Sequence, residues 1–569
     1  MSKELETIRH SLAHVLAQAV KSFYPKVLFG IGPAIEDGFY YDFDNLTIEE
    51  SDLKKIEDKM REIIKKDIPI KKVILKEKEA VSKLKGQKYK LELLKDLEDK
   101  EVTFYEQDDF IDLCRGPHVK STGKIPADSF KLTRIAGAYW KGESKNKMLT
   151  RIYGIAFNNN IELNDYLKLK EEAEKRNHVK LGKELDLFSF HLEGPGFPFF
   201  HNKGMIIWDE LLKYWKEEHD KEGYIQIKTP VILKKDLWEQ SGHWDHYKDN
   251  MYFTYIDKQN YAVKPMNCPG GMLIYKEKMH SYKEFPLKVA EIGLVHRHEL
   301  SGVLNGLFRV RAFHQDDAHI FITENMIEKE INDLYDLINR MYKTFGFDFH
   351  IELSTRPENA MGDPKIWKKA ENALENALKT KGVKYKINPG DGAFYGPKID
   401  FHIKDSLGRT WQCATIQLDF LMPEKFDLTY EGQDGKKHRP VMLHRVVYGS
   451  LERFIGILIE HYAGKFPLWL SPVQITILPI ADRHLDYAKE IKNKLSENNI
   501  RVEIDDRSES ISKKVRDAQL MKTNYMVTIG DKEEQNRTLA IRTLDGKVEF
   551  GVKLDNFVKD IVDKIKKRN

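Results

Sequence analysis

Apolar residues recur along this chain with two periods, and the places where one period gives way to the other outline its elements. Near the start, IRHSLAHVLAQAV has the spacing of an amphipathic helix, while VLFGIGP and GFYYDFD are short strand-like runs punctuated by Gly and Pro. Residues 1–160 therefore read as an α+β domain. The stretch from Leu163 to Glu184, LNDYLKLKEEAEKRNHVKLGKE, is highly charged, free of Gly and Pro until Gly182, and helical in period. It predicts a linker helix over 161–184. Next, MIIWDELLKYWKEEHDKEGYIQIKTPVIL predicts a helix running into a strand that contains Pro230, and this long region closes near FPLWLSP, giving a domain over 185–468. In the last hundred residues VQITILPI, HLDYAKEIKNKLSE, IRVEIDD, a further helix and YMVTIGD alternate strand with helix, which predicts a small, largely parallel α/β domain over 469–569.

Composition narrows the class of protein. A chain of 569 residues exceeds one compact domain several-fold. Its 93 basic and 89 acidic side chains leave a formal charge of +4, which permits a nucleic-acid partner without announcing one. Cys114, Cys268 and Cys413 are too few and too scattered for a disulfide framework, so a reducing compartment is expected. The opening MSKELETIRHSLAH has no secretory pattern, and no apolar run approaches the roughly 20 residues that span a bilayer. A soluble cytoplasmic protein with no membrane partner is the expectation. No G-x-x-x-x-G-K-[ST] loop and no G-x-G-x-x-G helix start occurs, so P-loop and Rossmann chemistry find no support.

The middle of the chain carries the densest chemistry. In GLVHRHELSGVLNGLFRVRAFHQDDAHIF, Arg297 and Glu299 stand two apart, so on a strand they share a face, and the turn-forming SGVLNG brings Arg309 and Phe313 back opposite them. Such a hairpin can grip ATP: a guanidinium fork matches phosphate oxygens, a carboxylate can accept from the adenine amino group, and a ring offers a stacking face. In VMLHRVVYGSLERFIGILIEHY a strand passes through Gly449-Ser450 into a helix bearing Arg453.

Together with the helix before Pro230, these patches resemble the three signature motifs of class II aminoacyl-tRNA synthetases, and closely those of the threonyl-tRNA synthetase family in its bacterial form. The resemblance implies a multidomain fold: an antiparallel-sheet catalytic core, an N-terminal α+β editing domain and a C-terminal α/β anticodon-binding domain. It implies threonine–tRNA ligase activity, with ATP and Mg2+, L-threonine and tRNA(Thr) as partners, in a homodimer built on the first motif. Arg297 is then expected on the α-phosphate and substrate carboxylate, Glu299 on adenine, Arg309 on the γ-phosphate, Phe313 stacked on the base and Arg453 over its other face. Gln315 and Tyr395 would contact the amino acid, Asp317 would receive its hydroxyl, and Lys398, Gln412 and Gln417 would line the two pockets. His243 matches a position near the terminal ribose and could relay its proton. By context, though not by spacing, Cys268, His319 and His444 match the family's zinc ligands, one ion per chain. Cys413 reads as a buried, inert thiol.

His10 and His14 lie one helical turn apart, and LCRGPHV sets Cys114 and His118 at the same spacing. By residue type these four are a zinc set, as in the related editing domain of alanyl-tRNA synthetases. The resemblance implies a metal-free site that hydrolyses seryl-tRNA, with Lys90 and Asp112 as neighbours. In the C-terminal domain it places Glu533 and Arg542 on anticodon bases, whose exposed edges suit carboxylate and guanidinium. Many bacterial relatives carry a ubiquitin-like domain ahead of the editing domain, and this sequence starts at the editing helix.

Overall fold

The computed structural model describes residues 2–97 and 101–568, in two compact units, Met1–Glu172 and Ala173–Asn569. In the first unit the helix Lys3–Phe23 is capped by Ser2, whose hydroxyl accepts from the Leu5 N–H. Its apolar face, with Leu12, Leu16 and Val20 fully buried, packs with Phe39, Tyr41 and Phe43 of the strand Gly38–Asp44 and with Ile56 and Met60 of the helix Asp52–Lys65. A small antiparallel sheet of Lys71–Lys76, Glu101–Gln107 and Phe110–Leu113 completes the α+β arrangement.

The charged stretch expected as one linker helix is two, Asn160–Lys175 and His178–Glu184. The break has a local cause. The Asn177 side chain accepts from the Val179 and Lys180 N–H groups at 3.0 and 3.1 Å, which caps a new helix in place of continuing the old one.

The second unit is built on an eight-stranded sheet. From edge to edge its strands are Ile225–Gln226, Leu287–His296, Ala312–Ile322, Val441–Val446, Thr410–Asp419, Lys398–Lys404, Asp348–Ser354 and Tyr385–Asn388. The two outermost pairings are parallel and all inner ones antiparallel. Strict alternation sorts the side chains. Ala318, Ile320, Leu443, Ile399, Phe401 and Ile416 enter the main core, where they meet Leu211 and Trp215 of the helix Asn202–Lys221, Ile338 of Ile327–Thr344 and Phe454 and Leu458 of Leu451–His461. Emptying such a site, as Phe→Ala does, costs about 3–5 kcal/mol. Asp317, His319, His444, Gln417, Lys398 and Asp400 are left on the opposite face.

Three sequence expectations need correction. Pro230 lies outside any strand, between Ile225–Gln226 and Ile232–Lys234, because it has no N–H to give a ladder. Arg297 and Glu299 follow the strand Leu287–His296 and do not belong to it; the connection back to Ala312–Ile322 holds two 3-10 turns, Ser301–Val303 and Gly306–Phe308. In the C-terminal domain Ile475–Pro479 pairs in parallel with Val502–Ile504 and Tyr525–Ile529, but Thr538–Thr543 and Val548–Lys553 are antiparallel. Only the six-residue helix Asp531–Asn536 precedes Thr538, too short a crossover for a parallel return, and a turn at Gly546 (φ +92°) closes the last hairpin.

One buried histidine makes stability depend on pH. The His219 Nδ1–H donates to the Trp215 carbonyl (2.6 Å) and Nε2 accepts from Arg445 (2.8 Å). Burial first, then the Arg445 charge, push its pKa from 6.5 down to about 2. The unfolded chain therefore binds the proton more readily. This contribution to stability is complete above the unfolded value and is lost as pH falls from 6.5 toward about 2, at about 1.4 kcal/mol per pH unit. Denaturant titrations should show the parent losing about 2 kcal/mol more than His219→Gln between about pH 7.5 and about pH 5. Equal losses in the two proteins would contradict the assignment.

Candidate functional site

The polar face of the central sheet carries two adjoining clefts. One, of about 430 Å³, is lined by Arg297, Glu299, Arg309, Phe313, Gln412 and Arg453, among others. The other, of about 270 Å³, is lined by Cys268, Asp317, Tyr395, Lys398, Gln417 and His444, among others. Arg297, Gln315, Thr415 and Val446 line both, so a ligand in one cleft reaches a ligand in the other past the same guanidinium.

Local structure explains the first cleft. Pairing of Val295 with Phe313 and of His296 with Ala312 ends the ladder just before Arg297, whose N–H still donates to the Arg311 carbonyl (2.9 Å). The Arg297 guanidinium lies 5.0 Å from the Phe313 ring centroid. Glu299 and Arg309 form an ion pair at 2.9 Å across the loop. Gly449 (φ +77°) turns the chain against the Cys413 carbonyl, where a Cβ would come within 2.9 Å, and Ser450 then caps the helix that presents Arg453. Cys413 is buried, as expected. Burial pushes its thiol up to about 12, so it stays protonated, although it touches the cleft wall.

In the second cleft Cys268 opens the helix Cys268–Lys276, and His319 and His444 are directly paired residues of neighbouring strands. All three are buried, with candidate ligand atoms within 4.8 Å of one another. The His444 Nε2–H donates to Asp419 Oδ2 at 2.8 Å, which leaves the Nδ1 lone pair free. His319 Nε2 is buried without a hydrogen-bond partner, and burial pushes its pKa down to about 4. One thiol and two imidazoles, one of them with an orphaned ring nitrogen, fit a metal ion of zinc's preferences. His243 lines neither cleft. It is fully buried behind Met266, 3.1 Å from that sulfur, hydrogen-bonded to Ser241 and held neutral by a pKa lowered to about 3 through burial.

Two carboxylates that sequence reasoning left without a role organise these clefts. Asp400, buried, accepts from Lys398 (2.6 Å), Gln412 (2.6 Å), Ser354 (2.7 Å) and Thr415 (3.0 Å), which fixes side chains of both clefts from one point. Asp316, on the core face beside Asp317, accepts from the N–H groups of Val447, Tyr448 and Gly449 and from the Trp215 indole. It ties the Ala312 strand to the turn that aims Arg453. Burial raises its pKa to about 6, so it is still ionised at neutral pH. Removing one partner of a buried charged contact of this kind costs about 3–5 kcal/mol.

The first unit holds a second constellation. His10 and His14 project from the helix Lys3–Phe23, while Asp112, Cys114 and His118 come from the strand Phe110–Leu113 and the loop after it. Cys114 Sγ lies 3.2 Å from His10 Nε2 and 3.2 Å from His118 Nε2, and the His118 ring sits 4.2 and 4.1 Å from those of His10 and His14. Asp112 accepts from Tyr41 (2.5 Å) and pairs with Lys90 (2.6 Å). Burial lowers the pKa of His10, His14 and His118 and pushes the Cys114 thiol up to about 11. In the C-terminal domain the Glu533 carboxylate accepts from the Gly530 N–H at the start of its own helix, and Arg542 lies on the strand Thr538–Thr543 with a long contact, 3.4 Å, to the Gly546 carbonyl. Among the described residues no helix is long and apolar enough to cross a membrane.

Residues 252–462 match the family profile described as tRNA synthetase class II core domain (G, H, P, S and T), 474–564 the Anticodon binding domain, and 102–153 the Threonyl and Alanyl tRNA synthetase second additional domain. The core and its flanking domains are thus those of a class II aminoacyl-tRNA synthetase. The threonine–tRNA ligase of Acetivibrio thermocellus is 58% identical over 567 residues, covering 99% of this chain and 89% of that protein. That of Desulfatibacillum aliphaticivorans is 59% identical over 565 residues, 99% of this chain and 88% of the relative. The crystal structure of the RNA binding domain of threonyl-tRNA synthetase from Cryptosporidium parvum superposes with a TM-score of 0.67 at 40% identity, over 68% of this chain and 98% of that one. The chain belongs to the threonine–tRNA ligase family.

Proposed function

We propose that this chain activates L-threonine with ATP on the polar face of the central sheet, transfers it to tRNA(Thr) in the cytoplasm, and clears seryl-tRNA in its N-terminal unit. The observation that carries the reading is the shared wall of the two clefts: Arg297 can hold the α-phosphate in one while reaching the amino-acid carboxylate in the other. In the nucleotide cleft Glu299 accepts from the adenine amino group, Phe313 and Arg453 cover the two faces of the base, Arg309 takes the γ-phosphate and Gln412 lines the floor, with Mg2+ accompanying ATP. Carboxylate oxygen attacks the α-phosphorus, the bond to the bridging oxygen of pyrophosphate breaks, and the adenylate forms. Arg297 neutralises charge on both reacting groups. His243, neutral and buried behind Met266, acts through Met266 and Tyr395 on the floor near the ribose, as a positioning residue.

Cys268, His319 and His444 would hold one zinc ion per chain. When bound, the ion supplies an open position for a hydroxyl ligand. Gln315, Tyr395 and Gln417 enclose the amino acid beside Lys398, and Asp317, to which the Asn267 amide donates at 3.3 Å, accepts from the threonine hydroxyl. Valine leaves Asp317 without that partner, a loss that allows rejection by about 10⁴–10⁵. Residues 1–160 serve editing, 161–184 link, 185–468 activate and 469–569 bind the anticodon through Glu533 and Arg542. The short, exposed edge strand Ile225–Gln226 supports a homodimer formed along the helix Asn202–Lys221 and the segment after it. ATP–pyrophosphate exchange tests the activation step: threonine should stimulate it strongly, serine weakly and valine not at all. Stimulation by valine comparable to threonine would overturn the pocket assignment.

Serine keeps the hydroxyl and lacks one methyl group, a difference worth only about 1–3 kcal/mol. A second site is needed. Burial keeps His10, His14 and His118 neutral, so the group can orient a water molecule through imidazole lone pairs. That water attacks the seryl ester carbonyl, the ester C–O bond breaks, and serine and the free tRNA hydroxyl are released. Cys114, protonated, and the Lys90–Asp112 pair hold the ring set in place. A His10→Ala, His14→Ala variant and a Cys114→Ala variant should charge threonine at the parent rate yet accumulate seryl-tRNA when given serine alone. Clearance of preformed seryl-tRNA as fast as by the parent would favour a zinc-scaffold role for these four residues.

A further inference from the structure

The neighbouring strands Asp348–Ser354 and Lys398–Lys404 set His350 directly opposite His402 and Glu352 directly opposite Asp400. Opposed residues of an antiparallel pair project to one side, so His350, Glu352 and His402 share the polar face with Asp400, while Ile351, Leu353 and Phe401 enter the core from the other. The two imidazoles lie stacked, centroids 4.9 Å apart and 13° from parallel. Both turn a ring nitrogen toward the same carboxylate: His350 Nε2 is 3.3 Å from Glu352 Oε1 and His402 Nε2 is 3.5 Å from Glu352 Oε2. The Asn388 amide donates to Glu352 Oε2 at 3.2 Å and steadies it.

These distances are longer than those of several histidine–carboxylate pairs elsewhere in the chain, and close to those of His14–Asp112 (3.5 Å) and His319–Asp317 (3.7 Å), whose histidines belong to the two cysteine-containing groups. His178–Glu460 and His484–Glu534 are 2.7 Å, His438–Asp434 is 2.8 Å and His280–Glu284 is 2.9 Å. The His350 contact is within hydrogen-bond reach and the His402 contact is longer, so two ring nitrogens converge on one carboxylate without a short hydrogen bond to either. We propose that His350, Glu352 and His402 form a further divalent-metal site, for zinc or another borderline first-row ion, separate from the Cys268 group. Their ligand atoms lie within 4.8 Å of one another, and zinc with bonds of about 2.0–2.2 Å needs separations of about 3.3–3.5 Å, which small side-chain rotations supply. Two imidazole nitrogens and one carboxylate select such ions over calcium or magnesium. The residues are only part-buried, so coordination positions stay open to water and the ion exchanges with solution.

Cobalt(II) separates this site from the two cysteine-containing groups, because a cobalt–thiolate bond adds a near-ultraviolet charge-transfer band that nitrogen and oxygen ligands do not. The full-length chain, stripped of metal, is titrated with Co2+ alone, beside a His350→Ala, His402→Ala variant and a Glu352→Gln variant. The variants should bind one fewer cobalt per chain and lose part of the visible d–d absorption, with the charge-transfer band unchanged. The replacements are part-exposed, and Glu352→Gln preserves shape, so at least one variant keeps the parent's circular dichroism. Unchanged stoichiometry in a folded variant, or loss confined to the charge-transfer band, would overturn the proposal.

Discussion

The site depends first on strand register. His319 faces His444 because Ala312–Ile322 and Val441–Val446 pair in one register, and Leu287–His296 sets Arg297 beside them by the same ladder. Side chains alternate with a period of two, so a slip of one residue would send His319, Asp317 and His444 into the core and bring Ala318, Ile320 and Leu443 out. The register is held from the core side. Each apolar residue that turns inward against Trp215, Ile338 and Leu458 also fixes the direction of the polar residue beside it.

Buried carboxylates add what alternation cannot. Asp316 and Asp317 are neighbours that point opposite ways: one gathers three backbone N–H groups and aims the turn before Arg453, the other faces the second cleft. Asp400 fixes Lys398 and Gln412 from a single point, and Asp419 orients His444. Each is costly to bury alone and is offset by the number of donors it satisfies. Asp112 plays the same part in the first unit, between Tyr41 and Lys90.

Much of this was legible in the sequence, for physical reasons that differ by residue. His10 and His14 fall one turn apart on a helix, so their proximity could be read from spacing alone. Cys268, His319 and His444 are joined only by the fold, and resemblance, not spacing, singled them out. Asp316 and Asp400 carried a signal that went unused, since a carboxylate placed by alternation on a core face, or among Lys398 and Gln412, must have partners. The break before Asn177 was likewise readable as a cap. Strand direction after Ile529 depended on the length of one short helix, and the end of the Leu287 strand before Arg297 on where a ladder stops. Local pattern settles neither. The group at His350 and His402 was not legible, because H-x-E on a strand is ordinary alternation until the opposing strand is in register.

The central claim is that strand register sets His319 against His444 beside the Cys268 thiol, so that the three would hold one metal ion. X-ray absorption at the zinc edge tests it most directly, on a His350→Ala, His402→Ala background loaded with a single equivalent of zinc. The account predicts one sulfur at about 2.3 Å and two imidazole nitrogens at about 2.0–2.1 Å, with a light-atom shell that changes on adding L-threonine and not on adding L-valine. A sulfur-free shell, or a shell that persists unchanged in Cys268→Ala, would contradict it.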